Sequence, residues 1–179
     1  MIFCTLLSDN ELLEAIKPYN STTIVYCVTC TNISVAYQKN LPIYEVKVDE
    51  QTGAPTIVRR GIVDESIRIK EFLDSNGIKS STFEYNIPCL VALDNRIPNA
   101  LNGAGKDTML LEASSESEAV LALCCSVGIL GLKRRITDGK PIVAGMKTHG
   151  ISSLDIKMND TGNLIYADEN SAKIIQYTK

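Results

Sequence analysis

The sequence predicts an α/β protein: a mostly parallel, helix-covered sheet built from Rossmann-like strand–Cys–helix units, closed by a C-terminal β-hairpin. Three observations carry this. Thr22–Tyr26 and Ala119–Leu123 are short uncharged apolar runs, the pattern of strands buried on both faces of a parallel sheet. Each run leads into cysteines, Cys27-x-x-Cys30 and Cys124-Cys125, and then into a helix-forming stretch. The tail instead alternates apolar and polar residues around Asn159-Asp160-Thr161-Gly162, which is hairpin chemistry.

The elements follow in order. Ser8-Asp-Asn-Glu11 is a capping box, and Pro18 stops that helix at about Lys17. After the strand Thr22–Tyr26, residues Asn32–Gln38 form a short helix. Ile43–Val48 is a strand with one wet face, placed near a sheet edge, and Thr56–Val63 is its returning arm beyond the turn-rich segment Asp49–Pro55. Asp64 caps a helix through about Asp74, with Gly77 as its left-handed stop.

The next strand has two cuts: Ser80–Ile87 ending at Pro88-Cys89, or Cys89–Leu93. The first leaves Cys89 at a strand end; the second buries it. Asp94–Asp107 reads as a loop and Thr108–Glu112 as a short strand or turn. The strand Ala119–Leu123 follows, then a helix Val127–Ile136 whose Lys133-Arg134-Arg135 suit a helix C-terminus. Pro141–Gly145 is a buried strand, Leu154–Met158 and Leu164–Tyr166 are the hairpin arms, and a last strand or helix lies near Ala172–Tyr177.

With 179 residues the chain is long enough for one domain over 1–179, or for two lobes, 1–80 and 81–179, sharing a sheet. A net charge of −3 offers no general attraction for phosphate backbones or anionic lipid, so nucleic acid is excluded as a partner class. No apolar run is long enough to span a bilayer, and the N-terminus lacks the basic region of a signal peptide. The expected location is cytoplasmic.

Six cysteines in a reducing compartment point to metal or redox chemistry more than to structural disulfides. With His149 as the sole histidine, a metal site here is built from thiolates, which selects zinc or an iron–sulfur cluster. Cys27 and Cys30 share one tight turn; Cys89 and Cys125 (or Cys124) are the remaining loop thiols. From the residues alone the candidate ligands are Cys27, Cys30, Cys89 and one of Cys125 or Cys124. Cys4 and one of Cys124 or Cys125 read as small buried hydrophobes. Two other readings stay open: a dithiol oxidoreductase using Cys27 and Cys30, and a small-molecule binding module with structural cysteines.

Two further stretches carry weaker signals. Asn102-Gly-Ala-Gly-Lys-Asp-Thr108 resembles the end of a phosphate loop, but Ala100 stands where the first glycine belongs and Asp107 where Ser or Thr would hold magnesium. It reads as a plain loop. His149, in the loop Lys147-Thr-His-Gly150 after a strand, is placed as a neighbour of the cysteine crevice rather than a ligand.

Cys27-x-x-Cys30-Thr after a buried strand, the isolated Cys89, Val120-Leu-Ala-Leu-Cys-Cys125-Ser-Val-Gly128 and Lys140-Pro-Ile-Val-Ala-Gly-Met-Lys-Thr148 together resemble the MetV-type cysteine-containing accessory subunit, or C-terminal domain, of methylenetetrahydrofolate reductases. The resemblance spans about Ile24 to Thr148. It departs from the family pattern at Tyr26 and Ser126, where glycines are expected, and in lacking the diglycine after the first cysteine pair. It implies Cys27, Cys30, Cys89 and Cys125 as ligands and a reductase or electron-transfer subunit as partner, and any flavin and folate sites belong to that partner. A homo-oligomer is a separate expectation.

Overall fold

The computed structural model describes residues 1–89 and 105–176. The candidate strand Cys89–Leu93, beyond its first residue, and the loop Asp94–Asp107, before its last three residues, lie outside the described residues. So do the end of the tail at Tyr177 and the first three residues of the phosphate-loop-like stretch.

The described chain is α/β, with eleven strands in three sheets. One sheet is parallel. It has the order β5-β2-β6-β7, from Ser21–Tyr26 (β2), Lys79–Glu84 (β5), Ala119–Leu123 (β6) and Ile142–Ala144 (β7). The other two are antiparallel, so the expectation of a mostly parallel Rossmann-like sheet is corrected. One is β1-β8-β11, made of Ile2–Leu6 (β1), Met146–Ser153 (β8) and Lys173–Gln176 (β11). The other is β4-β3-β10-β9, made of Tyr44–Val48 (β3), Pro55–Arg59 (β4), Ile156–Met158 (β9) and Leu164–Ala167 (β10). The physical reason is connection length. Between β2 and β5 the chain inserts a hairpin, and the connections after β7 are too short for helical crossovers, so those strands return antiparallel.

The parallel sheet forms because β2 and β6 are apolar on both faces, and the period of two sends alternate residues to two different cores. Ile24, Leu121 and Leu123 enter one cluster with Leu12, Ile16, Val35, Ile62, Ile69 and Leu73. Val25, Val120 and Ala122 enter the other with Tyr85, Leu110, Leu132 and Ile136. Helices Asp9–Ile16 (α1), Cys30–Lys39 (α2) and Ile62–Ser75 (α3) supply the first cluster. Helices Lys106–Ser115 (α4) and Ser126–Arg135 (α5) supply the second.

The capping box of α1 is present, with both the Ser8 side chain and the Glu11 carboxylate engaged, and the helix ends before Pro18 as predicted. Helix α3 starts two residues earlier than Asp64, at Ile62, because buried Asn32 caps it from α2. The Asn32 Oδ1 accepts from the Ile62 N–H at 3.0 Å while its Nδ2 donates to the Ile43 carbonyl at 3.1 Å. Gly61 is required beside it: its φ is 47°, and a Cβ there would lie 2.6 Å from Asn32 Oδ1. The early start of α3 shortens the returning arm Thr56–Val63 to Pro55–Arg59.

β3, placed near an edge, is the second strand of its sheet, between the edge strand β4 and β10, and its polar alternation reflects a wet face. Besides the returning arm, two other expectations are corrected. Thr108–Glu112 lies within helix α4, which buries Leu110 and Ser114 four residues apart on one face and is tied down by Asp107. Asp107 accepts from the Tyr85 hydroxyl and pairs with Arg135 at 3.2 Å. Residues 146–153 are strand β8 rather than a loop, paired along its length with β1 and β11. The β9–β10 hairpin around Asn159–Gly162 matches its prediction, and the tail's last element is a strand.

Leu121 is fully buried at the centre of the larger core. Leu121→Ala is expected to cost about 2–5 kcal/mol, read as a lowered urea midpoint with an unchanged denaturant slope.

Candidate functional site: a thiol edge at the strand ends

The order β5-β2-β6-β7 makes the space between β2 and β6 a topological switch point. From β2 the chain runs through α2 and α3 to β5 on one side; from β6 it runs through α5 to β7 on the other. The two loops that leave the carboxyl ends there are Cys27–Cys30 and Cys124–Cys125. The register puts Tyr26 opposite Leu123, so Cys27 and Cys124 stand level, and the Cys27 N–H donates to the Leu123 carbonyl at 3.2 Å.

β5 pairs with the far side of β2, ends at Glu84, and leads to Cys89. The first of the two cuts is therefore the right one in kind: Cys89 follows a strand end instead of sitting inside a strand. The segment leaving β5 packs on α5. A Cβ on Gly131 would fall 1.8 Å from the Pro88 carbonyl oxygen, and one on Gly128 would fall 2.9 Å from Cys124 Sγ. Two glycines of α5 thus let Pro88–Cys89 approach the edge.

All six cysteines are free thiols. Cys27, Cys124 and Cys125 are buried, while Cys30 and Cys89 are partly exposed. Cys30 is the first residue of α2, and Cys125 is the N-cap of α5, its Sγ accepting from the Gly128 N–H at 3.4 Å. The Cys27 Sγ lies 3.0 Å from the Thr29 hydroxyl. Both helices thus direct N-terminal N–H groups at this edge, where they favour negative charge.

The period of two divides these thiols between faces. Cys27 and Cys124 belong to the core shared with α4 and α5. Cys125 belongs to the other core, together with Cys4. Cys4, expected to be a bland core residue, is fully buried on β1 yet a neighbour of the site: its Sγ lies 3.6 Å from the Thr148 hydroxyl, which accepts from the Ser126 N–H at 2.9 Å. The sequence signal for Cys4 is the short run Ile2–Leu6, which forms β1.

Burial dominates the electrostatics. It pushes Cys4 and Cys89 up from the ordinary thiol value of 9.0 to about 11 in each case; at Cys4 the Thr148 hydroxyl opposes it, and the proximity of the other edge thiols adds to it. Cys124 is raised further by burial, with Cys27 the first of its charged neighbours. Burial also raises Cys125, opposed by the N–H groups of Gly128 and Val127.

The four candidate ligands therefore reach one edge as neighbours, on loops from β2, β5 and β6. They do not converge further: among the described residues no three His, Cys, Asp or Glu side chains are arranged so as to hold a metal ion. His149 is corrected. It lies on β8, bonded through Nε2 to the Thr5 hydroxyl at 2.7 Å and tilted against Phe3, so it braces β1 instead of facing the crevice. The residue beside it, Thr148, is the one that reaches the thiols.

These raised thiols set a pH dependence. Below pH 9 they are neutral in both folded and unfolded chain, and their contribution to stability is full. Between pH 9 and 11 the unfolded thiols ionise first, so stability is lost as pH rises through that window. Chemical denaturation from pH 8 to 11 is expected to show this fall, with a shallower slope for Cys4→Ala.

No helix among the described residues is long and apolar enough to cross a membrane. Comparison with models of known protein families, with curated proteins and with solved structures returned no match for this chain.

Proposed function

We propose that this chain is a thiolate-site accessory subunit. Its strand-end edge takes zinc or an iron–sulfur cluster through Cys27, Cys30, Cys89 and Cys125, and it serves a reductase or electron-transfer partner in one-carbon or redox metabolism. The observation that carries this reading is the delivery of cysteines by the ends of three adjacent parallel strands to one edge that contains a topological switch point. The resemblance to MetV-type accessory subunits points to the same four residues. A bound metal would supply the positive charge that offsets the burial raising Cys89 and Cys125.

The chain's own residues divide the work. Cys30 and Cys125, at two helix N-termini, are placed where N–H groups favour a thiolate. Gly128 and Gly131 admit the Pro88–Cys89 segment. Because Cys27 and Cys125 belong to opposite faces of the sheet, uptake requires the partly exposed Cys30 and Cys89 to draw in.

A second reading is favoured by one observation: Cys27 and Cys30 are free thiols flanking a strand-to-helix turn, the setting of a dithiol oxidoreductase.

Metal analysis of anaerobically purified protein tests the first reading. Stoichiometric zinc or iron, lost in Cys27→Ser and Cys125→Ser while the far-UV spectrum is unchanged, supports it; metal-free wild-type protein overturns it. Thiol titration across a range of glutathione ratios tests the second, which fails when no reversible Cys27–Cys30 disulfide forms.

A further inference from the structure

Among the groups around the thiol edge, the β8 hydroxyl of Thr148 occupies a position that the ligand set does not account for. Its oxygen accepts from the N–H of Ser126, the first residue of α5, at 2.9 Å. That bond directs the hydroxyl's own proton elsewhere, and Cys4 Sγ lies 3.6 Å away. The N–H it accepts belongs to the residue directly after Cys125, so one side chain joins a thiol of β1 to the helix start that carries a thiol of β6. A hydroxyl that accepts one hydrogen bond becomes a stronger donor in the next, so the two contacts support each other.

Thr148 is framed by strand pairing, beside a register irregularity between Phe3 and Cys4. β8 pairs with β1 over Leu6↔Met146, Thr5↔Lys147 and Cys4↔Thr148. Lys147 is bonded to Glu11 of α1 at 2.7 Å, and His149 to Thr5 at 2.7 Å. The residues on either side of Thr148 are thus anchored to β1 or α1, leaving Thr148 to reach the α5 terminus. Cys125 sits there as the N-cap, in the same apolar cluster as Cys4 and Met146.

We propose that Thr148 is a positioning residue of the thiol edge. By clasping Ser126 N–H and the Cys4 thiol at once, it fixes the start of α5 against β1, and with it the placement of Cys125. Cys4 is accordingly a thiol of this edge beyond the four candidate ligands, its inner wall, rather than an isolated core residue. This deepens the proposed thiol site and rests on that edge being the working one.

The test is residue-resolved alkylation of the full-length reduced protein with iodoacetamide, followed by mass spectrometry. Cys125 is buried, so it reacts through local opening, and its rate reports how firmly the α5 start is held. Thr148→Val keeps the shape and removes the hydroxyl. Loss of this hydrogen bond is expected to raise the Cys125 rate about five- to tenfold, with Cys124, on the opposite face, unchanged as the internal reference. Thr148→Ser is expected to restore the wild-type rate.

A parallel rise at Cys124 in Thr148→Val, a Cys125 rate unchanged by it, or a Thr148→Ser protein that behaves like Thr148→Val would each overturn the proposal. Titration of the same proteins with Cd²⁺ separates this from the metal reading. Wild-type protein that takes up no Cd²⁺ while the alkylation pattern holds sinks the metal site and leaves the clasp standing. Uptake weakened about tenfold in Thr148→Val, in the range of outer-shell changes, supports both.

Discussion

The pairing of β2 with β6 is the constraint on which the rest depends. Both strands are buried on both faces, so neither can slip by one residue without exchanging the contents of two cores. With the register held at Tyr26↔Leu123, the residues that follow, Cys27 and Cys124, must stand level at the sheet's edge. The strand order then sends the two following helices to opposite sides, and the space between the loops becomes the crevice. A thiol-lined edge is a consequence of strand register before it is a matter of side-chain chemistry.

The same alternation limits what the edge can do unaided. Adjacent cysteines point to opposite faces, so Cys124 joins Cys27 and Cys125 joins Cys4. Burial keeps several of these thiols neutral at ordinary pH, which makes them poor nucleophiles and quiet ligands until a counter-charge arrives. Against this, two helix N-termini supply N–H groups at Cys30 and Cys125. In the proposed reading, a soft cation would bring the counter-charge that this edge does not itself supply.

The antiparallel sheet β1-β8-β11 is more than an appendage to this arrangement. Its first strand carries Cys4, and its second carries Thr148, through which the sheet is bonded to the start of α5. Buried Asn32 does comparable work lower in the fold, joining α2, α3 and the approach to β3 through two hydrogen bonds. Asn32 is a buried polar group tolerated because its bonds are satisfied, and both residues are useful because their bonds fix one geometry.

The amino-acid pattern by itself determined the doubly buried strands, the capped first helix, the C-terminal hairpin and the presence of cysteines at strand ends. These rest on local chemistry: a run of uncharged residues, a Ser-x-x-Glu box, an Asn-Asp-Thr-Gly turn. It did not reveal β1 or β8, because a strand at the N-terminus and a polar strand such as Met146–Ser153 become recognisable only when each supplies the other's hydrogen bonds. Helix α4 was illegible for a similar reason, since Tyr85 and Arg135, distant in sequence, hold its first turn through Asp107. Only the tertiary structure decided that Cys89 follows a strand, that His149 turns to Thr5, and that Cys4 stands behind the site. Each of these depends on which segments meet across the fold, and residue spacing along the chain does not contain that information.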